Sequence, residues 1–152
     1  MPEAVFLRAA VPDDAATIAR VFRSSFRTVL PAMPDLHTPA EDLQYFATQV
    51  LTANEVLVAV DAGSAEVLGF IAFAADWVNH LYLRPDIRRR GIGSRLLRRA
   101  QDRSSHLCLW TFQVNAAARA FYAYHGFVEV RLTDGERNEE REPDVLLEWR
   151  RR

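Results

Sequence analysis

Apolar and polar residues recur along this chain with two different periods, and the changes from one to the other mark its elements. Val5-Phe6-Leu7-Arg8-Ala9 reads as a first strand. Pro12-Asp13-Asp14 then opens a stretch with Ile18, Val21, Phe22 and Phe26 at helical spacing, its proline and acids placed where a helix carries free N–H groups. A loop with Pro31, Pro34 and Pro39 follows, and Thr38-Pro39-Ala40-Glu41 has the form of a capping box, which predicts a second helix to about Leu51. Glu55 to Val60, Val67 to Ala75 and Val78 to Leu83 read as three strands, the first two joined by the turn Asp61-Ala62-Gly63-Ser64. Ser94 to Ala100 returns to helical spacing. His106-Leu107-Cys108-Leu109-Trp110-Thr111 is almost continuously apolar, as expected of a strand buried on both faces. Asn115 to Tyr124 is helical, and Phe127 to Leu132 and Asp144 to Trp149 close the chain as strands around a charged loop, Thr133 to Arg141. The order β-α-α-β-β-β-α-β-α-β-β predicts the α/β (α+β) class, with one mixed sheet and helices on both sides.

Composition narrows this picture. A chain of 152 residues with 49% hydrophobic and 26% charged side chains suits one soluble globular domain over residues 1–152. No run approaches the ~20 apolar residues of a membrane helix, so no membrane partner is expected. Met1-Pro2-Glu3-Ala4 lacks the basic and apolar regions of a signal peptide, and the single cysteine, Cys108, cannot form an intrachain disulfide. Both point to a cytoplasmic protein. All 19 basic residues are arginine, and the net charge of −1 gives no global attraction for nucleic acid.

The densest chemistry lies in Leu81-Tyr82-Leu83-Arg84-Pro85-Asp86-Ile87-Arg88-Arg89-Arg90-Gly91-Ile92-Gly93-Ser94. A strand ends at a proline, a basic turn carries glycines spaced G-x-G, and a helix begins. Glycines let backbone approach a ligand, and the free N–H groups of a first helical turn attract an anion. A pyrophosphate cradle fits this pattern, although G-x-G alone is weak evidence and an arginine run also suits a solvated face or a nucleic-acid patch. The G-x-x-x-x-G-K-[ST] spacing of nucleotide hydrolases is absent, and the dinucleotide fingerprint fails at Arg95 and Leu96.

Two segments resemble one family. Arg88-Arg89-Arg90-Gly91-Ile92-Gly93 fits the R/Q-x-x-G-x-G/A signature of the GCN5-related N-acetyltransferases, the GNAT superfamily. Asn115 to Phe127 fits its second signature, N-x-x-A-x-x-F-Y-x-x-x-G-F, in the right order and with a strand between the two. The resemblance covers nearly the whole chain. It implies a mostly antiparallel sheet of six to seven strands with about four helices and a splayed central strand pair, and an enzyme moving the acetyl group of acetyl-CoA to a primary amine by direct attack in a ternary complex.

What the resemblance implies can be carried to individual positions. Arg89, Arg90, Gly91, Gly93 and Ser94 would hold the pyrophosphate through main-chain N–H groups, with Arg88 supporting the turn. The pantetheine arm would pair with backbone groups of Leu81 and Leu83, flanking Tyr82, in a slot between residues 78–83 and 107–111. Asn115 would bond the pantetheine, although a plain helix N-cap also suits it. Ala118 is small where coenzyme A passes, and Phe121 reads as core or cofactor wall. Tyr122 falls at the family's proposed acid and would protonate or hydrogen-bond the leaving sulfur. The family's usual base, a Glu before the turn, is missing, which leaves His80 first, Asp76 second and water third. Acceptor candidates are Phe26, Leu36, His37 and Tyr45 on one side and Asn138, Glu139 and Glu140 on the other, for a small-molecule amine or a protein N-terminus. The similar stretch Asp134 to Asp144 carries no role that the resemblance fixes. Cys108 lies in mid-strand without an evident histidine partner. Homodimers are common in such folds, though no sequence feature identifies an interface. A catalytically silent coenzyme-A-binding sensor is the alternative reading.

Overall fold

The computed structural model describes residues 4–87 and 91–152. Strand β1 (Val5–Ala9) is followed by helix α1 (Ala15–Val29), helix α2 (Pro39–Tyr45) and the hairpin strands β2 (Glu55–Asp61), β3 (Val67–Ala74) and β4 (Trp77–Leu83). Helix α3 (Ile92–Asp102), β5 (His106–Phe112), α4 (Ala116–Tyr124), β6 (Val128–Leu132) and β7 (Asp144–Arg150) complete the chain. The element order is the predicted one. α2 continues through a wider-pitched turn over Phe46–Val50 into Leu51–Ala53, so the second helix ends slightly beyond its predicted limit.

Local chemistry explains the starts of both early helices. Asp14 accepts from the Val11 N–H at 2.8 Å and from both Arg8 terminal nitrogens at 2.8 and 3.0 Å, which fixes the chain where β1 turns into α1. At α2 the capping box forms as read: the Thr38 hydroxyl accepts from the Glu41 N–H at 3.1 Å, and the Thr38 N–H donates to Glu41 Oε1 at 2.8 Å.

The seven strands form one sheet in the order β1-β2-β3-β4-β5-β7-β6, antiparallel everywhere except between β4 and β5. Alternate residues feed two cores. Leu57 and Ile71 join Leu96, Leu97, Leu107 and Leu147 on the face covered by α3 and α4, whereas Val58 and Phe70 join Ile18 and Phe46 on the face covered by α1 and α2. β5 departs from the expectation of burial on both faces. Only Leu107, Cys108 and Leu109 are buried, and Trp110 is 44% exposed because it turns toward a gap in the sheet.

That gap has a definite origin. Ala72 pairs with His80 but the neighbouring Phe73 pairs with Val78, so Asn79 is one extra residue in β4. The bulge bends β4 and reverses its side-chain alternation: Val78 packs into one core and His80 against the aromatic rings of the other. β4 and β5 run parallel and meet at a single register pair, Trp77 with Cys108, where the Cys108 N–H donates to the Asp76 carbonyl at 2.7 Å. Beyond that point the strands separate.

Candidate active site

The wedge between β4 and β5 opens into a cavity of about 1190 Å³. Its walls are Leu81, Tyr82 and Leu83 of β4, Trp110, Thr111 and Phe112 of β5, Gly91, Gly93 and Ser94 at the start of α3, and Asn115, Ala118, Phe121 and Tyr122 around α4. Ten of the residues assigned from sequence therefore line a single space. Arg88, Arg89 and Arg90 lie outside the described residues. His80 lies outside the cavity lining, and the slot is shifted slightly toward residues 81–83 and 110–112 from its expected bounds.

The backbone on both rims is turned toward the gap. The Arg84 N–H donates to the Leu68 carbonyl, and antiparallel pairing alternates direction along a strand, so the peptide groups of Tyr82 serve β3 while those of Leu81 and Leu83 face the wedge. On the opposite rim the Cys108 N–H points toward β4, and the same alternation turns the N–H and C=O groups of Trp110 and the N–H of Phe112 into the wedge, while the Phe112 carbonyl accepts from the Asn115 N–H at 3.0 Å. An extended ligand with amides of its own matches these two rows.

At the wide end, Gly91 caps α3 with φ +76°. A Cβ there would meet nothing within 4 Å, so the glycine is required by backbone conformation and not by space. Gly93 is buried against Leu83 and Phe121. The first turn of α3 thus presents its free N–H groups to the cavity, a site suited to phosphate. The Ser94 hydroxyl shares a 2.8 Å hydrogen bond with His125 Nε2, a contact that the sequence reading missed; burial, then Arg98, lowers the His125 pKa and keeps the ring neutral. Arg84 is bound to Glu66 and Asp86, and Arg95 donates to the Val5 carbonyl, so part of the basic run is consumed by the fold itself.

Asn115 performs the capping role, its Oδ1 accepting from the Ala118 N–H at 3.1 Å, while lining the cavity. Tyr122 is 8% exposed, with its ring packed on Phe127 and Phe121 at centroid distances of 5.4 and 5.1 Å. Burial first, and the neighbouring Tyr82 second, push its phenol pKa well above the ordinary value. Tyr82 is raised likewise, by burial and then by Glu140 and Tyr45. Both phenols therefore stay protonated across the neutral and alkaline range, as donors.

His80 sits behind this wall. Its Nε2 shares a 3.1 Å hydrogen bond with the Tyr45 hydroxyl, and its Nδ1 is buried without a partner among the described residues. Burial pushes its pKa down to about 4, so the ring is neutral at physiological pH but holds a proton weakly. Asp76 lies at the closed end of the wedge, 3.6 Å from His106 Nδ1.

Of the acceptor candidates, Phe26, Asn138 and Glu140 line the main cavity, joined by Ser25 and Val29 of α1 and by Leu30 just beyond it. Val29 and Leu30 were readable as the apolar stripe of α1 continuing past the residues the core needs. Leu36 and His37 line a smaller neighbouring pocket together with Glu140, and His37 is bonded to Glu139. The stretch Asp134 to Asp144 proves to be a self-braced loop. Asn138 Nδ2 donates to the Glu142 carbonyl at 2.7 Å and to Asp144 Oδ2 at 3.1 Å, and Gly135 turns at φ +81° against the Glu142 backbone. Asp134, Glu136, Arg137, Asn138, Glu140 and Asp144 thereby edge the cavity. One expectation is corrected: Cys108 does have a histidine neighbour, with His106 Nε2 3.5 Å from its Sγ, because residues two apart on a strand share a face.

This is an open sheet splayed at its centre, with a glycine-capped helix start at the wide end of the splay, and comparison with known proteins gives its class. The acetyltransferase (GNAT) domain family matches residues 52–129, and the chain belongs to that family. An uncharacterized N-acetyltransferase of Archaeoglobus fulgidus is 27% identical over 134 residues, covering 77% of this chain and 88% of that protein. The apo-form solution structure of YjaB from Escherichia coli superposes with a TM-score of 0.79 at 18% identity, covering 96% of this chain and 97% of that one. The PaiA N-acetyltransferase of Thermoplasma acidophilum, solved in complex with coenzyme A, gives 0.74 at 18% identity over 97% and 99% of the two chains. YncA of Salmonella typhimurium, solved with acetyl-CoA, gives 0.71 at 17% identity over 97% and 94%.

Proposed function

We propose that the protein is an acetyl-CoA-dependent N-acetyltransferase acting on a primary amine in a ternary complex. The observation that carries this is the wedge itself: two rows of inward-facing peptide groups that end at the first turn of α3. Leu81 and Leu83 on one rim would pair with the pantetheine amides, Asn115 would reach the same arm, and the α3 N–H groups at Gly93 and Ser94, with the preceding arginines, would take the pyrophosphate. The bound thioester supplies an activated acetyl group.

Tyr122 then has a defined task. Negative charge builds on sulfur as the amine attacks, and the phenol donates a hydrogen bond to it. Its raised pKa favours donation of that bond over complete proton transfer, because the departing thiolate, whose thiol has a pKa near 8.5, is a much weaker base than a buried phenolate. For the amine's own proton, neither side-chain candidate is well placed. His80 is too weakly basic and lies behind Tyr82, and Asp76 stands at the closed end. Water at the open mouth is the acceptor that the geometry favours. Glu140, with Asp134, Glu136 and Asp144 on the loop, gives the mouth acidic edges that suit a cationic amine, small or at a protein N-terminus, with Arg131 and Arg137 tempering the charge.

Free thiol released from acetyl-CoA across a panel of primary amines tests the reading. We expect turnover with at least one cationic amine. Tight coenzyme A binding without turnover on any amine would instead establish the silent binding module.

A further inference from the structure

A second cluster of chemistry lies at the closed end of the wedge, and none of its residues lines the cavity. His106 and Cys108 project from the same face of β5, and Glu148 stands directly opposite Cys108 on β7. Their donor atoms converge: His106 Nε2 is 2.7 Å from Glu148 Oε2 and 3.5 Å from Cys108 Sγ, and all three atoms lie within 4.8 Å of one another. We propose that His106, Cys108 and Glu148 form a zinc-type metal site, with the fourth position open to water.

The geometry fits such an ion closely. With Zn–S about 2.3 Å and Zn–N and Zn–O about 2.0 Å, tetrahedral ligand atoms stand about 3.5 Å apart for pairs with sulfur and about 3.3 Å for nitrogen–oxygen pairs. The Cys–His separation already has this value. The His–Glu contact must open by about 0.6 Å on the same tetrahedral geometry, which a side-chain rotation of Glu148 provides, and the Cys–Glu pair lies within 4.8 Å. The other ring nitrogen of His106 faces the Asp76 carboxylate at 3.6 Å. A small rotation of the Asp76 side chain, which is 64% exposed, would bring the pair to hydrogen-bond distance and complete the carboxylate–histidine–metal arrangement that orients an imidazole and raises its basicity as a ligand. A thiolate and a carboxylate neutralise a divalent ion, and a thiolate–imidazole pair selects a borderline-soft metal over calcium or magnesium. The cluster's charges also agree. The carboxylates of Glu148 and Asp76 flank the cluster, 2.7 and 3.6 Å from the two ring nitrogens of His106, so the local field is negative and attracts a cation. Arg150 opposes it, 3.3 Å from the same Glu148 oxygen, but its side chain is 68% exposed and free to swing away. The ligands stand on adjacent strands of a hydrogen-bonded pair, so backbone ordering is already complete before the metal arrives.

The test uses the purified full chain stripped with a chelator. Titration with Co²⁺ is expected to give one equivalent of tetrahedral site, seen as intense visible bands and a thiolate-to-metal band in the near ultraviolet, and Zn²⁺ is expected to displace it with micromolar or tighter affinity. Cys108→Ser should remove the near-ultraviolet band. Asp76→Asn should keep the band and weaken Zn²⁺ binding by about 10- to 100-fold. Circular dichroism confirms that each variant is folded, and His106→Gln serves in place of Cys108→Ser if that chain is not. Millimolar binding, or stoichiometric Zn²⁺ binding that survives both Cys108→Ser and His106→Gln, overturns the proposal.

Discussion

Tyr82 and Tyr122 place two phenols in one wall of the cavity, and Tyr82 adds to the burial that makes Tyr122 hard to ionise. If Tyr122 acts by hydrogen-bond donation, Tyr122→Phe should lower kcat by about 10²-fold or more, with little change in the KM for acetyl-CoA, because donation matters only as charge develops. Steady-state kinetics at fixed acceptor separates the two parameters. His80 gives a stability prediction of definite sign. An unfolded chain takes up a proton on this histidine near pH 6.5, whereas burial delays uptake in the folded chain to about pH 4. Stability is therefore full above the unfolded value and declines as pH falls from about 6.5 toward about 4, by on the order of 3 kcal/mol. Urea midpoints across that range should fall less steeply in His80→Phe, whose ring suits the cage of Phe22, Phe46 and Phe70. At Gly135 a Cβ would stand 2.3 Å from the Glu142 carbonyl group in a left-handed backbone, so Gly135→Ala should cost about 2–4 kcal/mol and loosen the acidic edge of the mouth. Denaturant unfolding and the acceptor KM would both report it. Residue identities at the cavity were legible where a spacing constrains them, as with Asn115, Tyr122 and the paired glycines. Trp110 and the Ser94–His125 bond were not, since both depend on how far two strands separate and how closely two helices approach.

At the level of elements, the sequence pattern was a reliable guide wherever one face of a helix or strand is buried, because the periods of 3.6 and 2 then appear directly. The capping box at Thr38 is a local device of this kind. Thr38→Ala should cost about 1 kcal/mol, read as a lowered urea midpoint with an unchanged slope. The bulge at Asn79 was not readable as a position. Val78, Asn79 and His80 have no residue signal for an insertion, and it emerges only from the pairing of Ala72 and Phe73 with their neighbours. The apolar run of β5 misled for a related reason. Continuous hydrophobicity means burial on both faces in a closed sheet, but beside a wedge it also serves a ligand wall, as Trp110 does.

For the whole molecule, two cores on opposite faces of one sheet give a scaffold whose central opening is the place with most stability to gain from a ligand. Coenzyme A at about 100 times its Kd should add about 2.7 kcal/mol and raise the melting temperature by several degrees. Differential scanning fluorimetry with and without coenzyme A measures this, and an unchanged midpoint would count against the cavity as its site. The joining of β4 to β5 by one register pair has a further consequence. Within the sheet, the ladder β1-β2-β3-β4 and the ladder β5-β7-β6 are joined by a single rung, while one core packs across both, and amide exchange is the natural reporter of such a seam. The amides of Leu81, Leu83, Trp110 and Phe112 should exchange far faster than their neighbours in the same strands, and those of Leu81 and Leu83 should slow selectively when a strand-like ligand closes the seam. The sheet would then be hydrogen-bonded across its full width only while it is loaded.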